Sequence, residues 1–345
     1  MFIQSTEARN PGFENKRGYQ QMENKIRRVG ILTSGGDAPG MNAAIRAAVR
    51  TCVLHDVIPI GIHRGYNGLI HSDVVELDAR AVNGITARGG TILYTARSEE
   101  FRTDEGVKRA AENCRYLGID GVIAIGGDGT FRGARELAKY GINTIGIPGT
   151  IDNDIACSHY SIGFDTAANT AIDAIDKLAD TMQSHQRTSV VEIMGRNAGH
   201  LAVYVGISVG ATAIILPERP FDFEKEVVEH IREAQYRGKH HHLIIVAEGT
   251  NSTNEIAQRC RDELGLDTRV TIIGHVQRGG SPSARDRVMA TRMGHRAVEE
   301  IIAGNTNLIV CYRNSQITTV SIDEAMTMTK DLDEYMYRVA QEITI

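Results

Sequence analysis

The sequence is poor in the residues that cross-link or anchor a chain. Its five cysteines (Cys52, Cys114, Cys157, Cys260 and Cys311) are scattered, odd in number and never spaced CxxC. That excludes a disulfide framework and a structural zinc site as organising devices. No apolar run approaches the ~18 residues that a membrane-spanning helix requires. Charge of neither sign dominates: 38 Lys and Arg against 43 Asp and Glu leave a net charge of −5. Such a balance argues against nucleic-acid binding driven by whole-chain charge. Residues 1–26 are polar, lack the apolar stretch of a secretory signal and read as an extension, so a cytoplasmic setting is expected. At roughly 150 residues per domain, a chain of 345 residues suggests two domains.

Glycine is the excess, 35 of 345 residues against a usual ~7%, and it falls at the ends of strands. Val29 to Thr33 is a short aliphatic run followed by Ser34-Gly35-Gly36-Asp37-Ala38-Pro39-Gly40 and a helical stretch, Met41 to Leu54. The pattern recurs as strand Gly121 to Ile125, loop Gly126 to Thr130 and helix Phe131 to Lys139, and again as strand Thr144 to Ile147 with loop Pro148 to Asp154. Further strands are predicted at Val190 to Ile193, Ala213 to Leu216, Leu243 to Ala247 and Val270 to Ile273. Helices are predicted at Asp165 to Met182, Asp222 to Tyr236 and Asn254 to Leu264. Continuous apolar strands alternating with amphipathic helices predict an α/β fold of mainly parallel sheets covered on both faces. In such folds ligands bind beyond the carboxyl ends of the strands. Three acidic, glycine-rich loops at those ends point to a polyphosphate site. The run His240-His241-His242 has no spaced carboxylate or cysteine and reads as a solvated strand edge.

Each loop has its own chemistry. Gly35, Gly36 and Gly40 offer backbone N–H groups at a helix N-terminus, where phosphate is favoured. Neither GxxxxGK[ST] nor GxGxxG spacing is present, which excludes a Walker cradle and weakens a dinucleotide-binding reading. In Gly126-Gly127-Asp128-Gly129-Thr130 one carboxylate sits among glycines that let a nucleotide approach, and Asp128 suits Mg²⁺ completed by ATP phosphates. In Thr150-Ile151-Asp152-Asn153-Asp154 two carboxylates lie two residues apart, on one side if the loop is extended, one to accept a hydroxyl proton and one to orient metal or substrate. Arg187, Arg196, Arg269, His275 and Arg278 lie beside strand ends, and arginine suits bidentate phosphate binding.

Taken together these segments resemble the short bacterial type of 6-phosphofructokinase. The matching stretches are Gly30 to Arg46, Gly126 to Thr130, Gly146 to Ile155, Ser184 to Arg187, Met194 to Gly199 and Gly274 to Pro282, in order and with family-like spacing. The resemblance implies two similar Rossmann-like three-layer α/β/α domains with the active site in the cleft between them. An ATP-binding domain would comprise 27–163 plus 277–327, and a fructose 6-phosphate-binding domain 164–276 plus 328–345. It implies transfer of the γ-phosphoryl of MgATP to the 1-hydroxyl of fructose 6-phosphate. By resemblance Asp152 is the general base, Asp128 the magnesium-associated acid and Asp154 its support. Gly36, Arg97, Ser98, Gly127, Asp128, Gly129 and Thr130 match ATP-binding positions, and Thr150 and Arg196 match groups that stabilise the moving phosphoryl. Thr150, Ile151, Asp152, Met194, Gly195, Arg196 and Glu248 match sugar contacts, and Arg187, Arg269, His275 and Arg278 match the cage around the 6-phosphate. Arg187 and Arg269 would reach in from a neighbouring subunit of a homotetramer.

Two features bear on donor and regulation. Pyrophosphate-using relatives typically carry Asp at Gly129 and Lys at Gly149, so ATP is the expected donor; the alternatives are a pyrophosphate-dependent enzyme and a non-catalytic sugar-phosphate sensor. Arg46, Arg50 and Lys239 match the family's effector site. Two further arginine positions fall on Ala79 and Ala179 and its acidic position on Thr212, with Arg80 adjacent to the first. Weak or absent effector response is therefore expected.

Overall fold

The structure, a computed structural model, describes residues 26–343. Most of the expected extension lies outside the described residues. Eleven strands are found there: β1 Arg28–Thr33, β2 Ile58–Ile62, β3 Val74–Glu76, β4 Gly121–Gly126, β5 Asn143–Pro148, β6 Thr188–Ile193, β7 Ala213–Ile215, β8 His242–Ala247, β9 Thr268–Ile272, β10 Leu308–Arg313 and β11 Gln316–Ser321. They form a seven-stranded sheet of order β11-β10-β5-β4-β1-β2-β3 and a four-stranded sheet of order β7-β8-β6-β9. All pairings are parallel except β2 with β3 and β10 with β11. The helices are α1 Met41–Leu54, α2 Tyr66–His71, α3 Asp104–Tyr116, α4 Asp128–Lys139, α5 Phe164–His185, α6 His200–Ser208, α7 Glu229–Tyr236, α8 Thr253–Asp262, α9 Ala284–Ile302, α10 Ile322–Ala325 and α11 Glu334–Glu342.

The interior strands of both sheets are buried on both faces, as continuous apolar strands require, whereas the edge strands β3, β9 and β11 are partly exposed. Ile31, Ile123 and Ile125 point toward α1 and α9, while the alternate residues Leu32, Val122 and Ala124 meet Phe131, Ala134 and Leu137 of α4 on the other side. In the smaller sheet Val191, Ile193 and Ile245 face Leu201 and Val205 of α6, and Val190, Ile244 and Val246 face Val227 and Ile231. The alanines of α1 let α9 approach closely: a Cβ on Gly294 would lie 2.6 Å from the Ala44 carbonyl oxygen.

Buried Asp286, in the first turn of α9, ties that helix to the start of α5. It accepts hydrogen bonds from the Tyr160 hydroxyl (2.5 Å), Gly163 N–H (2.7 Å) and Thr166 N–H (2.9 Å), and from the Thr166 hydroxyl. Hydrogen bonds to a charged group contribute about 1.5–3 kcal/mol each, so this carboxylate is a principal fastening between the two helices.

The expected elements are present with shifted ends. Residues 131–139 are helical as expected, but α4 already begins at Asp128, because Gly127 serves as its N-cap and the loop closes directly into a turn. The expected helix over 222–236 opens as a π-helical turn, Glu224–Val228, before α7. One reading is corrected. The histidine run is not a solvated edge throughout: His242 opens β8, an interior strand between β7 and β6, and is fully buried. Neither ring nitrogen has a hydrogen-bond partner, and burial pushes its pKa down to about 4.

Candidate active site

The three glycine-rich loops end neighbouring strands, since β5, β4 and β1 are adjacent in the sheet. Their backbones are pressed together by the absence of side chains. A Cβ on Gly126 would stand 2.3 Å from the Ser34 carbonyl oxygen, which accepts a 3.0 Å bond from the Thr130 hydroxyl. The Thr130 carbonyl in turn accepts from Tyr66, whose ring stacks on Phe101 with centroids 4.1 Å apart. Around Gly127 and Gly129, by contrast, a Cβ would meet nothing within 4 Å. The N-terminus of α4 therefore faces open space with its first N–H groups free of side-chain cover, the geometry that favours an anion. The Arg97–Ser98 segment is held nearby, because the Thr95 hydroxyl donates to the Gly35 carbonyl (2.6 Å) and Ser98 Oγ accepts from Phe101 N–H.

The 150–154 loop differs from the extended form that would set both carboxylates on one side. Asn153 takes φ 51°, a left-handed conformation that asparagine tolerates better than most residues, and the chain turns there. Asp152 ends up enclosed, 5% exposed, whereas Asp154 stays half-buried. Asp152 N–H donates to the Thr150 hydroxyl (3.2 Å), and Asp152 Oδ1 is buried with no partner. Burial pushes the Asp152 carboxyl up to about 6; the like charge of Asp154 adds to the rise, and the Arg278 guanidinium opposes it. Asp128 is also raised, first by desolvation in the cleft although its tip is open to solvent, then by Asp154, against the pull of Arg132 and Arg196.

From the smaller sheet, Glu248 at the end of β8 accepts from the N–H groups of Gly195 (3.1 Å) and Arg196 (2.6 Å), fixing the turn after β6. Met194 N–H donates to Gln277 Oε1 at 3.0 Å, so this turn is also joined to the segment carrying His275 and Arg278. Arg196 acts on Asp128, and Glu248 on Asp152, across the gap between the sheets. Asp128, Asp152, Asp154, Arg196, Glu248 and Arg278 thus converge.

Arg278 lies against the first glycine loop. Its Nη1 donates to the Asp37 carbonyl (3.2 Å), and a Cβ on Gly36 would sit 2.6 Å from that nitrogen. Arg187 and Arg269 lie elsewhere. Both flank Asp267, Arg187 Nε at 2.7 Å and an Arg269 guanidinium nitrogen at 3.2 Å. They stand at the amino ends of β6 and β9, opposite to Met194 and His275. At ~3.3 Å per residue the length of β6 separates Arg187 from the Met194 turn by roughly 20 Å. Of the effector candidates, Arg46 and Arg50 lie one turn apart on α1, with Arg50 donating to Asn83 Oδ1 (2.8 Å). Arg80 is exposed two residues after Asp78, which accepts from its N–H, and Lys239 precedes β8. Thr212 is buried, its hydroxyl accepting from Leu243 N–H. Gln277 belongs to a motif read in the sequence, yet nothing there marked it as the residue joining the two halves of the site.

Glycine-lined strand ends, a helix N-terminus open to an anion, and two carboxylates faced by arginines across a cleft define a phosphoryl-transfer enzyme of α/β type. The chain belongs to the phosphofructokinase family, whose model matches residues 28–301. It is 50% identical over 315 residues to the ATP-dependent 6-phosphofructokinase of Clostridium botulinum (strain Loch Maree), covering 91% of this chain and 98% of that protein. It is likewise 50% identical over 319 residues to the enzyme of the same name from Clostridium tetani, covering 92% and 100%. The structure of phosphofructokinase from Saccharomyces cerevisiae superposes with a TM-score of 0.81 at 33% identity, covering 92% of this chain and 48% of that one. The pyrophosphate-dependent phosphofructokinase from Marinobacter aquaeolei has the same fold, with a TM-score of 0.80 at 21% identity over 93% and 92%.

Proposed function

We propose that this chain is an ATP-dependent 6-phosphofructokinase, transferring the γ-phosphoryl group of ATP to the 1-hydroxyl of fructose 6-phosphate to give fructose 1,6-bisphosphate and ADP. The observation that carries the assignment of roles is Asp152: a buried carboxylate raised to about 6, with one oxygen unpartnered, facing Arg278 and beside Asp154. A group so placed is ionised at neutral pH and basic enough to take the hydroxyl proton as the oxygen attacks. Thr150 and Arg196 stabilise the charge spread over the moving phosphoryl. Ile151, Met194, Gly195 and Glu248 shape the sugar side. Gly36, Arg97, Ser98 and Gly127 to Thr130 hold the nucleotide.

The donor set fits Mg²⁺. Among the described residues no group of three or more His, Cys, Asp or Glu forms a cation cage, and Mg²⁺ is commonly held by one or two carboxylates with phosphate oxygens and waters. Asp128, open to solvent and raised by Asp154, is the residue that would hold it. When bound, the ion neutralises charge on the transferring phosphates.

ATP as donor is supported by the open space at Gly129. Gly129→Asp should impair ATP use by steric and charge conflict with the nucleotide phosphates. Initial rates at varied ATP check this, and unimpaired ATP use would defeat the donor assignment.

The placement of Arg187 and Arg269 at the far ends of their strands supports a homotetramer in which they complete a neighbour's 6-phosphate cage, beside that neighbour's His275 and Arg278. We assign the halves as 27–163 plus 277–327 for ATP and 164–276 plus 328–345 for the sugar, each centred on one sheet. Cytoplasmic residence accords with the substrates, and no helix among the described residues is long and apolar enough to cross a membrane. At the effector site, with alanine at 79 and 179, two charge-assisted bonds of ~1.5–3 kcal/mol each are missing, and Thr212 already serves the β8 backbone. Millimolar ADP or phosphoenolpyruvate should leave the half-saturating fructose 6-phosphate concentration nearly unchanged. A several-fold shift abolished by Arg46→Ala would contradict this.

A further inference from the structure

The C-terminal segment crosses between the two halves and touches the 150–154 loop. Helix α10 packs on α4, β10 and β11, and α11 packs on α6; residues 326–333 span the distance between them. Midway along this strap Lys330 Nζ donates to Asn153 Oδ1 (3.1 Å) and to the Ser158 carbonyl (2.8 Å). Asn153 is buried and separates the two carboxylates of the loop in its left-handed turn. The charged and titratable groups around the Lys330 ammonium are Asp154 and Cys157 from the loop after β5 and His200 from α6. Without this donor the buried Asn153 amide oxygen would have no partner, a costly state for a buried polar group.

We propose that Lys330 is a positioning residue for phosphoryl transfer: by clamping the Asn153 side chain it holds the turn that encloses Asp152 and leaves Asp154 half-buried. The strap is anchored on both halves, so the same contact ties the loop to their relative placement. The inference rests on the assignment of Asp152 as the base. Small misplacements of reacting groups cost up to about a hundredfold in rate, which sets the scale of the effect.

The test is steady-state kinetics on full-length variants. Lys330→Met is expected to lower kcat about 10- to 100-fold with the KM of each substrate within twofold of the parent, and Lys330→Arg to restore most of the loss. Asn153→Ala should show the same split, and the double variant should be no slower than the worse single one, as for residues acting through one contact. Parent-like kcat in Lys330→Met, a loss confined to KM, absence of rescue by arginine, or losses that multiply would each overturn the proposal. Should Lys330→Met fail to fold, Asn153→Ala decides alone: the kcat drop at constant KM upholds the proposal and parent-like kcat refutes it. Asp152→Ser run in parallel separates the two levels. An active Asp152→Ser removes the base assignment, whereas an inactive one beside a fully active Lys330→Met sinks only the role of Lys330.

Discussion

Asp152→Ser should turn over about 10²- to 10⁴-fold more slowly than the parent, the range for a lost general base, while fructose 6-phosphate affinity changes little. The parent's kcat/KM should fall on acidification through about pH 6, where the Asp152 carboxyl of the free enzyme takes up its proton. Asp154→Asn should move that limb to lower pH, because removing a neighbouring negative charge lets Asp152 ionise more easily. The same shift predicts a stability effect of definite sign. A carboxyl whose folded-state pKa is raised from 3.8 to about 6 binds its proton more tightly folded than unfolded, so stability declines as pH rises across that window. At neutral pH the ionised Asp152 then costs up to about 3 kcal/mol. Asp152→Asn, which keeps the volume without the charge, should melt higher than the parent at pH 7 and no higher at pH 3. Thermal melts at the two pH values check this, and a lower melting temperature at pH 7 would contradict the enclosed setting of Asp152.

The second large effect concerns assembly. Arg187→Ala should raise the KM for fructose 6-phosphate by about 10- to 100-fold, since a lost charge-assisted phosphate contact is worth about 1.5–3 kcal/mol. Subunits carrying Arg187→Ala and subunits carrying Asp152→Ser should each be poorly active alone. Mixed and reassembled, they should recover activity, because a hybrid site draws Asp152 from one chain and Arg187 from its neighbour. The parent diluted to monomers should be inactive while still folded. Sedimentation that finds a fully active monomer, or mixtures that never exceed the sum of their parts, would contradict a shared site.

The legible elements are those with an apolar run ending in glycine: β1, β4 and β5 with the helices that follow, and the core of the smaller sheet. Strands β3, β10 and β11 and helix α3 carry no such punctuation; β2 is followed by Gly65 and α9 preceded by Gly279-Gly280, but neither stands beside an acidic residue of the kind that marks the other loops. The β10–β11 hairpin includes the threonine-rich edge strand Gln316–Ser321, whose burial depends on its neighbours rather than on its own pattern. The family resemblance puts Asp128, Asp152, Arg196 and Glu248 into one set, and the structure brings them into one cleft. It could not say which of the two carboxylates at 152 and 154 is enclosed, since the left-handed turn at Asn153 is held by Lys330, 177 residues away. Chain direction already places Arg187 and Arg269 at amino ends, since they precede the expected strands over 190–193 and 270–273; the parallel register of β6 with β9 adds that both meet at Asp267. The burial of His242 is not legible, because a polar run gives no sign that its last member begins an interior strand.

The most direct test of the account is a coupled assay of fructose 1,6-bisphosphate formation from fructose 6-phosphate, run in Mg²⁺ with either ATP or pyrophosphate as donor. Rapid product formation with ATP and little or none with pyrophosphate is the predicted result. Preferential use of pyrophosphate, or no product with either donor from a folded preparation, would contradict it.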